Sequence, residues 1–496
     1  MTAAYTGSPG GLVVVSADDP GMHSSQNEQD NRHYARLAKL PMLEPSSSDE
    51  ARRYVRDAFD ISERFGCPVI LRLTTRICHA TGPVAVEEPQ PLDRTYHFEK
   101  DASRYVMVPG NARKRHVLVE ARLDDLAAFS EASPLNAVIE GDSSLGIVAS
   151  GVAYEYAREA APDASFFKLG LSYPLPLKRL RAFAESVDRV AVVEELDDIV
   201  ADDLRREGIT VHSKPPALRC GELNATNVGA FLAGEPAEPS IPGGGQPPRL
   251  CPGCPHRPSF LVLRDLKAIV AGDIGCYTLG VMPPLTSLDS CICMGASIGV
   301  GIGLRKVLPP DEGRRVVSAI GDSTFFHSGV TGVIQAIYNK EDAVILIFDN
   351  GTTAMTGFQD HPGSGRRLDG DAGATIDAAA LCTAIGCDSV TVVDPYNLGD
   401  LKGALEGAFG AAGVNVVILR RACRLLDRTA RPVMVVDHEA CTLCRKCVRT
   451  GCPAIISGEE AVSIDPRLCA GCGVCRQVCP FDAIHPAEAP GTSDQE

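Results

Sequence analysis

The sequence predicts a multidomain α/β chain built on parallel sheets, with a small cysteine-rich α+β module at its C-terminal end. Three observations predict it. Short apolar runs alternate with helix-length segments along most of the chain, the pattern of βαβ units. Those runs are continuously apolar, as strands covered on both faces are. Eight of the nineteen cysteines fall between Cys441 and Cys479. The length, 496 residues, suits three or four domains.

Residues 11–16 (GLVVVS) read as a short buried strand ahead of a polar stretch. A helix is expected over 48–64 and a second strand over 69–73. Two strands and a helix do not make a stable doubly wound sheet, so either it is completed elsewhere or the chain lacks its natural beginning. Residues 81–142 are mixed, and 1–142 is expected to form one partial domain. From residue 145 the alternation is cleaner: strand 145–150, helix 152–161, strand 165–169, helix 177–186 and strand 190–193 make an α/β domain over 143–233. Residues 234–249 (GEPAEPSIPGGGQPPR) read as a linker. A third α/β unit spans 250–425, with strands at 268–273, 316–320, 343–348 and 414–419. Its glycine-punctuated segment 295–303 (GASIGVGIG) is expected to be a helix packed closely on a sheet or a phosphate. The cysteine module occupies 432–490.

Hydrophobic content of 45% and charged content of 22% are ordinary for a globular chain. The net charge of −15, with no basic patch standing out, argues against nucleic-acid or membrane-surface binding. No apolar run is long enough to span a bilayer, and no secretory signal is visible, so the expected location is cytoplasmic. In a reducing compartment, clustered cysteines point to metal or catalysis rather than to disulfides.

The cysteines form two runs: Cys441, Cys444, Cys447, then Cys452-Pro453, and Cys469, Cys472, Cys475, then Cys479-Pro480. The second run is the bacterial ferredoxin spacing unaltered; the first has one extra residue before its last cysteine. Three thiolates three residues apart reach three corners of one cubane, and the fourth ligand comes from the other run. The expected ligand sets for two [4Fe–4S] clusters are therefore Cys441, Cys444, Cys447 and Cys479, and Cys469, Cys472, Cys475 and Cys452. Two zinc sites are the alternative.

Strand 316–320 ends in Gly321-Asp322-Ser323, and strand 343–348 is followed by Asp349-Asn350-Gly351-Thr352. Consecutive strand ends of a parallel sheet open on one edge, where ligands bind. Asp322 and Asn350 could then give two oxygens to one Mg²⁺, and Gly321 lets the backbone approach a phosphate. An ordinary strand-to-helix turn is the alternative. The pattern resembles thiamine-diphosphate enzymes, whose signature is Gly-Asp-Gly followed about thirty residues later by Asn; Ser323 replaces the second Gly.

Over nearly its whole length the chain resembles the alpha subunits of indolepyruvate ferredoxin oxidoreductases, in the 2-oxoacid:ferredoxin oxidoreductase family. The segments that carry the resemblance are 4–11 (AYTGSPGG), 16–32 (SADDPGMHSSQNEQDNR), 250–256 (LCPGCPH), 272–280 (GDIGCYTLG), 293–299 (CMGASIG), 321–329 (GDSTFFHSG), 349–357 (DNGTTAMTG), 361–363 (HPG) and the cysteine module. The resemblance implies thiamine-diphosphate-binding parallel-sheet domains. The expected assignments are a pyrimidine-binding type for 1–142, a transketolase C-terminal-like type for 143–233 and diphosphate and Mg²⁺ binding for 250–425. It implies oxidative decarboxylation of an aryl pyruvate to an aryl-acetyl-CoA, with coenzyme A, a beta subunit and ferredoxin as partners. By the same resemblance Asp322, Asn350 and the Thr352 carbonyl hold Mg²⁺. Gly275, Cys276, Gly295, Ser297, Gly321 and Ser323 lie near the diphosphate, and His23 and His256 face the substrate. By the resemblance Cys251 and Cys254 belong to the cofactor domain and not to a metal site; zinc or a redox pair is the generic alternative. The family's pyrimidine-contacting Glu precedes the segment matching Met1, so the chain is expected to be N-terminally truncated and poorly active as given. Two rivals are a non-redox thiamine-diphosphate decarboxylase and an electron-transfer subunit without catalysis of its own.

Overall fold

The computed structural model describes residues 1–86, 88, 97–240 and 248–487 and divides into two compact units, Met1–Gly245 and Gln246–Glu496. Residues 241–247 of the expected linker and 488–490 of the expected cysteine module lie outside the described residues.

The first unit contains two sheets. One has four strands in the order Val13–Asp18, Val69–Thr74, Met42–Leu43, Leu171–Tyr173. The first three are parallel and the last is antiparallel to Met42–Leu43. The sheet is thus completed by later chain, through strands too short to be read as apolar runs. Helix Ser48–Phe65 packs on it through Tyr54, Ala58 and Ile61, starts at a Ser47 cap that accepts from the Glu50 amide, and ends at Gly66 with φ +59°. The second sheet runs Ala137–Ile139, Ala164–Leu169, Asp142–Ser150, Val190–Val193, His212–Ser213, parallel except for its first strand. Two short strands therefore cross the expected boundary at 142, one in each direction. Helix Pro109–Ala132 lies where the sequence reads as mixed. Only Val119, Arg122, Leu126 and Ser130 of it are buried, so no apolar stripe marks it in the sequence.

The second unit is built on a six-stranded, all-parallel sheet in the order Ser290–Cys291, Ile269–Gly272, Val316–Gly321, Ala343–Asp349, Val414–Arg420, Ser389–Val393. Its central strands are buried up to their last residues, Asp349 and Arg420 in two of them, which is why they read as unbroken apolar runs. Each face carries its own core, one around Phe260, Val317, Leu346 and Leu405 and the other around Ile298, Phe325, Ile345 and Val416. The edge strand Ser389–Val393 is half exposed, so no continuous apolar run marks it. The cysteine module follows as two antiparallel ribbons, Met434–Val436 with Ile484–Pro486 and Ile455–Ser457 with Val462–Ile464.

Candidate functional site

Strands Val316–Gly321 and Ala343–Asp349 pair with Gly321 opposite Phe348, so the residues that follow them emerge side by side. Asp322, 4% exposed, joins the two turns. Its Oδ1 accepts from the Ser323 amide at 2.8 Å, and its Oδ2 accepts from the amides of Asn350 at 3.0 Å and Gly351 at 2.8 Å. Gly351 has φ +73°, the left-handed conformation that turns its amide toward the carboxylate. Asn350 Oδ1 accepts from the Thr352 amide at 3.1 Å. His361 Nε2 lies 3.3 Å from Asp322 Oδ2, buried and without an aligned hydrogen bond.

Beside this turn pair is a cavity of about 90 Å³. Of the residues assigned to the cofactor, Gly275, Cys276, Gly321, Asp322, Ser323, Asn350 and Thr352 line it, as does His256. Gly295 and Ser297 do not; their amides donate instead to Asp273 Oδ2, at 2.8 and 3.4 Å, and Met294 reaches the cavity. Asp273 is fully buried and ties the start of helix Ala296–Val307 to strand Ile269–Gly272. Sequence reasoning misses it, although it continues an apolar strand into a Gly-rich segment as Asp322 does.

Tyr277 is a second residue that sequence reasoning misses. Its ring stacks on Phe348 at 5.1 Å and 3°, and its hydroxyl accepts from the Gly321 amide at 3.0 Å while donating to the Ile274 carbonyl. A Cβ on Gly275 or Gly321 would come within 2.4 or 2.8 Å of this ring, so both positions require glycine. His256 meets Phe348 edge-on at 5.1 Å, and its Nε2 lies 3.2 Å from Asn350 Nδ2, which makes the ring nitrogen the acceptor. Burial pushes this imidazole down to about 4, so it is neutral. His23 lies in the first unit, where its Nε2 is 3.4 Å from Glu222 Oε2.

The donor set fits a magnesium-bound diphosphate. A buried carboxylate, a carboxamide and a threonine edge one cavity, all hard oxygens. The two glycines leave the backbone open to close approach.

The cysteine runs form two quartets. Cys441, Cys444, Cys447 and Cys479 line one small cavity, and Cys452, Cys469, Cys472 and Cys475 line another. Each set takes its fourth thiol from the other run. Four thiols around each cavity, three from one closely spaced run and the fourth from the other, are the ligand pattern of a cubane rather than of a zinc site. The first cavity is lined wholly by residues of the module. The second also takes Gly253, Cys254, Arg257 and Pro258 from the cofactor domain. Four more thiols interact electrostatically: Cys254 with Cys251 and Cys276, and Cys276 with Cys423 and Cys251. Cys423 reaches the group because its amide bonds to the Asn350 carbonyl at 2.9 Å, a proximity its isolated place in the sequence does not signal.

Residues 273–419 match the family model of the C-terminal TPP binding domain of thiamine pyrophosphate enzymes, and residues 462–485 match the 4Fe–4S binding domain. Among curated proteins, indolepyruvate oxidoreductase subunit IorA of Archaeoglobus fulgidus is 41% identical, the alignment covering 98% of this chain and 83% of the relative. The subunits of the same name from Methanothermobacter thermautotrophicus and Pyrococcus abyssi are each 40% identical with the same coverage. Among solved structures, a 2-oxoglutarate:ferredoxin oxidoreductase from Magnetococcus marinus matches at a TM-score of 0.30 and 18% identity over 35% of this chain and 65% of that one, too distant to bear on the site. With a thiamine pyrophosphate domain, a 4Fe–4S domain and close identity over nearly its whole length, the chain belongs to the indolepyruvate oxidoreductase subunit IorA family, a family of oxidoreductase subunits.

Proposed function

We propose that this chain carries the reaction centre and the electron path of an aryl pyruvate:ferredoxin oxidoreductase, with indolepyruvate as its substrate class. The observation that carries this reading is one cavity edge, where Asp322, Asn350 and Thr352 meet, on the same unit as two cysteine quartets. Asp322, Asn350 and Thr352 would hold Mg²⁺ and through it the diphosphate of thiamine diphosphate. Bound there, the cofactor supplies the carbanion chemistry that releases CO₂ from a 2-oxo acid. The chain's own residues anchor, orient and conduct. The Gly275 and Gly321 backbones admit the diphosphate, and Tyr277 braces the Gly321 turn. His256, neutral and accepting from Asn350 Nδ2, fixes the orientation of the amide, whose oxygen would serve Mg²⁺. His256, which lines the cavity, is the substrate-facing candidate of this unit.

Two electrons would leave one at a time through the quartet Cys452, Cys469, Cys472 and Cys475, which borders the cofactor domain, and then through Cys441, Cys444, Cys447 and Cys479. Coenzyme A takes the acyl group, a beta subunit completes the enzyme, and ferredoxin accepts the electrons. The test is to assemble the chain with its beta partner, Mg²⁺ and thiamine diphosphate. Indolepyruvate and coenzyme A should then reduce a ferredoxin and form the acyl-CoA. CO₂ release with the iron–sulfur absorbance unchanged would instead mark a non-redox decarboxylase. Iron analysis should give about eight irons per chain for two cubanes; about twelve would mean that Cys251, Cys254, Cys276 and Cys423 hold a further cluster.

A further inference from the structure

A groove of about 420 Å³ runs between the cofactor domain and the cysteine module, within the second unit. Its charged lining is entirely basic: Arg249, Arg257, Arg445 and Arg449, with no carboxylate among the lining residues. That is unusual on a chain whose net charge is −15. Arg257 is buried, and its guanidinium is spent on carbonyls, donating to Thr450 at 3.2 Å, Cys251 at 3.1 Å, and also to Gly451 and Leu250. It locks the module onto the 250–257 segment. Arg264 braces two further lining residues by donating to the carbonyls of Pro284 at 3.1 Å and Arg449 at 3.3 Å. Arg249, Arg445 and Arg449 are exposed. The groove is thus braced and partly apolar, with Leu279, Met282 and Val448 in its lining beside exposed positive charge.

Its position gives the charge a meaning. Cys452 lines both the groove and the cavity of Cys469, Cys472 and Cys475. Arg445 lines both the groove and the cavity of Cys441, Cys444, Cys447 and Cys479. The groove therefore borders both thiol quartets at once. Electron tunnelling falls steeply with distance, so a redox partner seated here has a short path to either one.

We propose that this groove docks a small acidic one-electron carrier protein, with Arg249 and Arg449 steering and holding its carboxylate rim. The proposal rests on the electron-conducting reading above and deepens it by naming the docking surface. Opposite charge at an exit site raises the association rate and makes it salt-dependent.

The test uses the assembled two-subunit complex and an oxidised acidic [2Fe–2S] ferredoxin as probe, its binding measured by calorimetry at low and high salt. Wild-type binding should weaken as salt rises. The pair Arg249→Glu and Arg449→Glu should raise Kd about tenfold or more and flatten the salt dependence, with reduction of benzyl viologen unchanged. The pair Arg249→Lys and Arg449→Lys should retain most of the affinity. If the glutamate pair loses its visible absorbance, the Arg249→Gln, Arg449→Gln pair decides instead. A Kd unmoved by reversal or neutralisation overturns the proposal. So does a rise in KM for coenzyme A with ferredoxin binding unchanged, which would assign the arginines to the phosphates of that substrate. Bleaching of the iron–sulfur absorbance by indolepyruvate without carrier is measured separately. Its absence counts against the functional reading, while the binding result alone still decides what the groove does.

Discussion

The two units both bury ionised groups at the ends of parallel strands, and they satisfy them in opposite ways. In the first unit charge meets charge. Arg32 pairs with Asp30 and Glu194, each at 2.6 Å, and Arg72 pairs with Asp18 at 2.7 Å and Glu44 at 2.5 Å, all of them nearly or wholly buried. In the second unit no guanidinium among the described residues pairs with Asp322. Three backbone amides hold it, and an imidazole lies close by. The first arrangement is closed in that each carboxylate has a guanidinium against it, although Asp18 Oδ1, Glu44 Oε1 and Arg72 Nη2 stay buried without a hydrogen bond. The second is open: the amides orient the carboxylate without cancelling its charge, and Asn350 and Thr352 stand beside it at a cavity. A buried carboxylate is thus a poor guide to a site, and the nature of its partners is a better one.

Removing a partner from the closed network should have the largest effect. Arg72→Ala leaves Asp18 and Glu44 buried and unpaired, so the first unit should lose about 3–5 kcal/mol of stability, read by denaturant unfolding. Thiamine diphosphate affinity, read on the folded fraction, should hardly change. In the open arrangement the pattern inverts. Asp322→Asn should weaken Mg²⁺-dependent thiamine diphosphate binding about a hundredfold, ~3 kcal/mol, in calorimetry, and leave the first unit's unfolding in place. Equal destabilisation of both units by either change would erase the contrast.

The smallest effect sharpens the comparison within the first unit. Burial pushes Glu195 up to about 7 from its ordinary 4.5, against the lowering effect of Arg72. A carboxyl raised in this way is more protonated in the fold than in the unfolded chain. Its stabilising contribution is therefore complete below about pH 4.5 and is lost as pH rises through about 7. Glu195→Gln should flatten that decline and add at most about 3 kcal/mol at pH 8. Asp30 runs the other way, held low by Arg32 despite its burial, so its contribution is present at neutral pH and lost in acid. A thermal melt series from pH 4 to 9 separates the two.

Short-range spacing carries much of the site. Gly321-Asp322 and Asn350 stand at strand ends whose apolar runs announce a parallel sheet, so their emergence on one edge follows from the pattern. The cysteines of each run lie three residues apart, which limits how they can be shared. What spacing cannot reach are contacts between distant segments. Tyr277 matters because it stacks on Phe348, and Asp273 because it binds the start of a helix more than twenty residues on. Neither relation has a sequence period. Gly295 and Ser297 show the same limit in reverse, since a glycine-rich helix start looks the same whether a phosphate or an aspartate meets it.

By itself, then, the sequence determined the class of chemistry: the eight module cysteines, the carboxylate and amide at strand ends, and the strands buried on both faces. Those are properties of residue type and local spacing, and local geometry enforces them. Only the tertiary structure decided how the first sheet is completed by Leu171–Tyr173, why Cys251, Cys254, Cys276 and Cys423 come within electrostatic reach of one another, and where four arginines gather beside both quartets. Each of those depends on which distant segments the packing of cores brings together, and no local rule along the chain encodes that choice.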